Sequence, residues 1–248
     1  MGRAFSNLLM LQRNNEEIRC VQTAMPACFR NNMSKAATID ALMESAIFSF
    51  SRDGYEGASL RDIARAADVP LSTIHLYFGS KSELFAAVGR KAWEEIDNER
   101  SALLEMALAK NPSAPPLTDL IYAIAYPVAR RALSKSDRDI AQIYILRSHM
   151  ARWHPPISEP MLDIADRSMV RWINAIMLSC PTLSRQDTIW AFSFVIGVVY
   201  SWQVIDHRYD RLLGEDVPRT AEGVTADIIA FCCEGIKAMA ARRSTPPS

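Results

Sequence analysis

Between residues 70 and 81 the chain gathers side chains able to dock on a polyanion without any covalent step. Pro70, Leu71, Ser72, Thr73, His75 and Tyr77 share the outer face of a short helix, and none of them is acidic. That suits a surface pressed against phosphates. Lys81 follows at the start of the next helix, where free backbone N–H groups also attract an anion. Taken singly, the alternative for each of these residues is a solvent-facing helix position with no partner, and for Tyr77 packing against the domain core. Covalent chemistry finds no comparable constellation. There is no H-E-x-x-H, no G-x-S-x-G and no phosphate-binding glycine loop, and the four histidines and nine glycines are scattered. No enzyme activity is expected.

The five cysteines (Cys20, Cys28, Cys180, Cys232 and Cys233) form no C-x-x-C pair and no zinc-finger spacing. Their odd number and lack of pattern fit a reducing cytoplasm. Cys180, Cys232 and Cys233 lie in or beside apolar helical stretches and read as small buried hydrophobes, a redox-sensing thiol being the alternative. His149 and His154 are poorly spaced for a metal pair, so neither metal nor cofactor is expected.

The elements that position the 70–81 face are helices. Apolar residues at Ile39, Leu42, Met43, Ala46, Ile47 and Phe50 step by three and one along one helical face, and Gly54 supplies a left-handed stop. A second, short helix carries Leu60, Ile63, Ala64 and Ala67 and is started by Ser59, with Asp62 three residues on. Pro70 stands at the first turn of a third helix, where its missing N–H is harmless. That helix carries Leu71, Ile74 and Phe78. Two short helices joined by a tight turn at Ala67, Asp68 and Val69 predict a helix-turn-helix over 59–78. Ile63, Ala64, Val69, Ile74 and Phe78 form its small shared core, and fixing that core fixes the angle at which the third helix projects. Ser80, Lys81, Ser82 and Glu83 spell a capping box for a fourth helix running to about residue 109.

The run from Ser59 to Phe78, followed by Gly79 to Leu84 and preceded by Gly54-Tyr55 after an amphipathic helix, resembles the TetR-family DNA-binding domain over about residues 36–95. The resemblance implies that Ser59, Thr73, Tyr77 and Lys81 contact phosphates while Pro70, Leu71, Ser72 and His75 face bases, with Arg61 reaching phosphate from the second helix. Phosphate contacts position such a helix and base edges specify sequence. This chain departs from the family pattern at two positions. Asp68 stands where the family has Gly, and Asp tolerates the left-handed region better than most residues, so the turn should survive at some cost. His75 stands where the family favours Tyr, and could donate to phosphate or read a base edge.

Length and composition frame the rest. The chain has 248 residues, 49% apolar, with 28 basic and 28 acidic residues. Such a balance argues against coating nucleic acid by bulk charge. From Ser34 to Lys91 seven basic residues meet seven acidic ones, so binding would rest on segregation of charge and non-specific affinity should be modest. Residues 1–33 read as a mobile arm without a convincing signal peptide, Met33 being a plausible alternative start. The DNA-binding domain is expected over 34–95, a helical ligand-binding and dimerisation domain over 96–242, and a disordered tail over 243–248.

Helices are expected over 118–133, 136–152, 158–179, 184–206 and 220–242, with no strand, giving an all-α fold. Thr188–Ile205 carries no charge and reaches the low edge of membrane-spanning length, about 18 residues. Its polar interruptions favour burial in a bundle or dimer. Helices 184–206 and 220–242 are more apolar all round than a surface helix needs. The resemblance assigns them to a four-helix homodimer interface, with intramolecular core as the alternative. It also implies a small-molecule effector in the helices between 118 and 179. Tyr122, Tyr126, Tyr144, Arg147, His149, Trp153, Trp172 and Trp202 are candidate liners, since aromatic surfaces with a few polar groups suit a pocket; ordinary core is the alternative for each. The reading is a cytoplasmic, dimeric, ligand-responsive regulator, usually a repressor in the family, on palindromic double-stranded operator DNA. A membrane-tethered regulator and an all-helical protein-interaction module are the rivals.

Overall fold

The computed structural model describes residues 34–151, 155–202, 211–212, 214 and 218–243. The arm expected over 1–33, the liner Trp153 and the tail from 244 lie outside the described residues. Among the described residues there are nine helices and no strand. They are α1 (Lys35–Gly57), α2 (Leu60–Ala66), α3 (Leu71–Phe78), α4 (Lys81–Lys110), α5 (Leu117–Ala132), α6 (Asp137–Ala151), α7 (Pro155–Ser179), α8 (Arg185–Ser201) and α9 (Ala221–Arg243). The described residues up to Ala87 group into one compact unit and most of those from Val88 into another. The division falls inside α4.

Caps written in the sequence start these helices. Ser34, Ser59 and Ser184 each accept the N–H three residues on, from Ala37, Asp62 and Asp187, and so satisfy one of the unpaired donors of a first turn. At α4, Ser80 Oγ accepts from the Glu83 N–H at 3.2 Å and donates to the Glu83 carboxylate at 2.8 Å. The glutamate therefore returns its bond to the hydroxyl instead of to the backbone N–H of a full capping box. α1 loses helical geometry at Gly54 (φ 68°, ψ 177°), a conformation that glycine adopts at no steric cost. α7 begins at Pro155, earlier than the break its two prolines suggest, because a proline in the first turn forfeits no helical hydrogen bond.

In the second unit α5 is the hub, packing against α6, α7, α8 and α9. Leu120, Ile121, Ile124 and Val128 are fully buried, and Ala123, Ala125 and Ala129 let neighbouring helices come close. A polar lattice crosses this unit. Arg131 donates to Glu99 at 2.6 Å, to Gln142 at 3.1 Å and to the Pro127 carbonyl at 3.0 Å. Gln142 bonds the Ala92 carbonyl and Glu95, which pairs with Arg138. Burial pushes the Glu99 carboxyl up, but the guanidinium groups of Arg131 and Arg130 outweigh it and hold the acid below its usual range. Cys232 and Cys233 are buried free thiols; burial and its neighbour Cys233 push Cys232 up to about 11, as fits a packed hydrophobe. No helix among the described residues is long and apolar enough to cross a membrane.

Candidate nucleic-acid interface

Ile63, Ala64 and Ile74 are fully buried between α2 and α3, while Val69 and Phe78 at the edge are half-buried. Small Ala64 lets the two helices approach, as expected. The turn between them is a Schellman motif, with the Val69 N–H on the Ala64 carbonyl at 3.0 Å and the Asp68 N–H on the Arg65 carbonyl at 3.1 Å. Asp68 occupies its left-handed position with φ 56°. It is the only non-glycine residue with positive φ among the described residues. The geometry that a glycine would adopt freely is kept here by an aspartate at a cost in strain.

This turn aims α3 outward. Pro70, Ser72 and His75 are exposed, and Leu71, Thr73 and Tyr77 are half-buried. All six therefore reach solvent along one short helix whose inward residue is Ile74. Leu76 is 75% exposed on the same helix. Leu76 was not among the residues assigned to the outer face from the sequence. Its signal was the helical step, since residue 76 stands two positions from Ile74 and so faces away from it.

Two lysines flank α3, each over a tyrosine ring. Lys35 Nζ lies 5.7 Å from the Tyr77 centroid and Lys81 Nζ 5.0 Å from that of Tyr55, within cation–π range. Lys81 also donates to the Glu56 carbonyl at 3.1 Å. It thus ties the start of α4 to the end of α1, a structural duty not foreseen in the sequence. Lys35 was not among the candidates, because it lies far before the turn in sequence and only the fold brings it to Tyr77. Asp53 and Asp62 are paired with Arg52 and Arg65, at 2.8 and 2.7 Å. Arg61 is exposed on α2 and stands with Arg65, Asp68, Pro70 and Leu71 around an open concavity. Lys35, Lys81 and Arg61 are the cations named around α3 outside those pairs, and Asp68 is an acid that shares the concavity with Arg61.

His75 Nδ1 lies 2.8 Å from the Gly79 carbonyl. A carbonyl only accepts, so Nδ1 carries the proton, and in the neutral ring the outward Nε2 is an acceptor. Ser59 Oγ accepts from the Asp62 N–H at 3.4 Å, so the residue caps α2 while half-exposed.

The family model described as bacterial regulatory proteins, tetR family, matches residues 42–88. That span runs from the middle of α1 through the helix-turn-helix into α4. The helix-turn-helix domain of this chain is of the TetR type. A curated relative, YttP of Bacillus subtilis (strain 168), described as a probable HTH-type transcriptional regulator, is 42% identical over 50 residues. The match spans 20% of this chain and 24% of that protein. The TetR-like fold extends further. A TetR-like transcriptional regulator from Rhodococcus sp. RHA1 superposes with a TM-score of 0.58 at 16% identity, over 83% of this chain and 99% of that one. The TetR-family regulator PfmR from Thermus thermophilus gives 0.56 at 19% identity, over 78% and 97%. Outside the TetR-type domain these likenesses concern architecture alone.

The described candidate effector liners differ in their surroundings. Tyr122 and Tyr126 stack on each other at 4.9 Å, and Tyr126 Oη donates to Glu222 at 3.4 Å. Tyr144 is exposed, with the Arg147 guanidinium 5.8 Å above its ring. His149 Nδ1 donates to the Ile145 carbonyl, and the ring lies against Gly89, where any Cβ would collide with it. Trp172 is buried, and Trp202 is half-buried at the end of α8. Sequence reasoning missed Arg100, which is 3% exposed. Its signal was spacing, because it stands four residues after Ile96 and four before Leu104, on the buried stripe of α4.

Proposed function

We propose that this chain is a transcription regulator that binds a palindromic operator as a cytoplasmic homodimer, represses from it, and is released by a small molecule. The carrying observation is α3, which presents Pro70, Ser72, His75 and Leu76 to solvent, no acid among them, between the cations Lys35, Arg61 and Lys81. In this reading the cations and Thr73 hold phosphates. The exposed face of α3 meets base edges in the major groove, where Leu76 can contact a thymine methyl. His75 Nε2, as an acceptor, suits an exocyclic amine of adenine or cytosine better than a phosphate oxygen.

One such domain covers little DNA, so useful affinity requires two on paired half-sites. Trp190 and Phe194 on α8, 55% and 58% exposed, and Phe231 on α9, 70% exposed, supply the apolar faces for self-association. Trp190 and Phe194 stack on each other at 6.0 Å, and exposed aromatic side chains of this size suit an interface. α4 runs unbroken from the DNA-binding unit into the second unit, and a ligand that favours one setting of it would change the spacing of the two reading helices. Coupling of about 1–3 kcal/mol would alter operator affinity roughly 5- to 150-fold.

The test is binding of the purified chain to fragments of its own upstream DNA at fixed salt. Saturable binding to one inverted repeat, lost in Thr73→Ala, supports the reading. With three cations per subunit a dimer neutralises about six phosphates, so the logarithmic salt slope should be near −5. Uniform weak binding indifferent to Thr73→Ala would overturn it.

A further inference from the structure

The second unit holds an uncompensated charge. Arg100 is almost fully buried, and Nε donates to the Ile124 carbonyl at 2.9 Å. Its guanidinium carbon lies 5.5 Å from the ring centroid of Tyr200, itself 4% exposed. Yet Arg100 Nη2 and the Tyr200 hydroxyl are buried without hydrogen-bond partners. The adjacent acid, Glu99, is engaged with Arg130 and Arg131. A guanidinium cannot shed its charge by deprotonating, and burying a charge without a counter-ion is costly.

The remaining unpartnered atoms of this unit share one property. Trp93 Nε1, two helical turns before Arg100 on the same side of α4, is buried without a partner, as are Trp202 Nε1 and Thr225 Oγ1. All five atoms can donate, and three of them can only donate. Among the described residues, these five atoms lack acceptors, and no carboxylate is paired with Arg100.

We propose that Arg100 and Tyr200 form the polar end of a binding site for a small monocarboxylate with an apolar body. This rests on the effector reading above and names the chemistry of that ligand. A carboxylate brings one charge to one guanidinium and two acceptor oxygens to the free donors. A phosphate monoester would bring nearly two charges and leave one buried unpaired. The apolar body follows from the surroundings, since Ile96, Leu104, Ile121 and Ile124, on the same helices α4 and α5, are all fully buried.

Thermal unfolding of the full chain without DNA tests this, using octanoate and benzoate against their neutral amides and against octyl phosphate. The carboxylates should raise the midpoint by several degrees and bind at least about tenfold more tightly than the amides, as a charge-assisted bond to the guanidinium requires. Octyl phosphate should bind more weakly than octanoate. Arg100→Met, which replaces the charge by an apolar side chain of similar length, should erase the preference for carboxylate over amide. Tyr200→Phe should reduce it, and carries the test if Arg100→Met does not fold. Equal binding of acid and amide, preference for the phosphate, no binding of either carboxylate, or a preference that survives both substitutions would overturn the proposal. Because the readout contains no DNA, its failure leaves the operator reading standing, and loss of operator binding alone leaves the carboxylate site standing.

Discussion

The two units of this chain satisfy their polar groups over different reaches. In the first, the bonds are mostly short-range: Ser34 to Ala37, Ser59 to Asp62, Ser80 to Glu83, and the ion pairs Arg52–Asp53 and Arg65–Asp62, Lys81 on the Glu56 carbonyl being the long-range one. In the second they join helices far apart in sequence, as in Arg131–Glu99, Gln142–Ala92, Ser168–Asp97 and Arg171–Glu105. Among the described residues, the second unit also keeps five of the six buried side-chain atoms without partners, the sixth being Ser49 Oγ. Local closure leaves the outward face of α3 unused by the first unit itself, as the proposed DNA contact requires. Long-range closure with donors left over is what the proposed carboxylate site draws on.

The largest effect that sharpens this contrast should come from Ile74→Ala. Ile74 is fully buried in a sparse core, and its truncation should cost about 2–5 kcal/mol. Denaturant unfolding should show an early transition of the DNA-binding unit, with operator binding lost and most helical signal retained. A single unshifted transition would break the contrast between the units. Next, Trp190→Glu combined with Phe194→Glu places charges on the exposed face of α8, and sedimentation should show a monomer, against the dimer proposed for the unaltered chain.

A smaller effect is expected from Glu99→Gln in the lattice of the second unit. The folded carboxyl sits below its usual range. Its contribution is therefore present above the unfolded value, about 4.3, and is lost as pH falls through the depressed folded value. At neutral pH the substitution should cost about 1 kcal/mol, the upper range for a pair that solvent partly screens. The difference from the unaltered chain should shrink as pH is lowered below about 4. A pH-independent difference would mean that the carboxylate's charge is not what matters. Smallest is Asp68→Gly, which relieves a left-handed aspartate and should raise the stability of the first unit by a few tenths to about 1 kcal/mol.

The same contrast explains what could be read from the residues. Helix starts at Ser59, Ser80 and Ser184, the stop at Gly54 and the strained turn at Asp68 depend on neighbours within a few positions, so their pattern is on the surface of the sequence. The outward face of α3 follows from the same local rules, Leu76 being the exposed residue left out of it. Lys35 beside Tyr77 and Lys81 on the Glu56 carbonyl depend on how α1 meets α3 and α4, which no local spacing encodes. The residues proposed for an effector were harder still. Aromatic type alone drew attention to Tyr122 and Tyr144, which are exposed. Arg100 is a charge on an apolar stripe, and its meaning rests on Ile124 and Tyr200 arriving from two other helices.

The most direct test of the account is selection of bound sequences from a random duplex library by the purified full chain, compared with His75→Ala. The account predicts an inverted repeat whose half-site centres are separated by about one helical turn, roughly 10 base pairs, or a multiple of it. It predicts that His75→Ala relaxes preference at one position in each half-site, costing about 1–3 kcal/mol there. Failure to enrich any repeat would contradict the claim that α3 reads DNA.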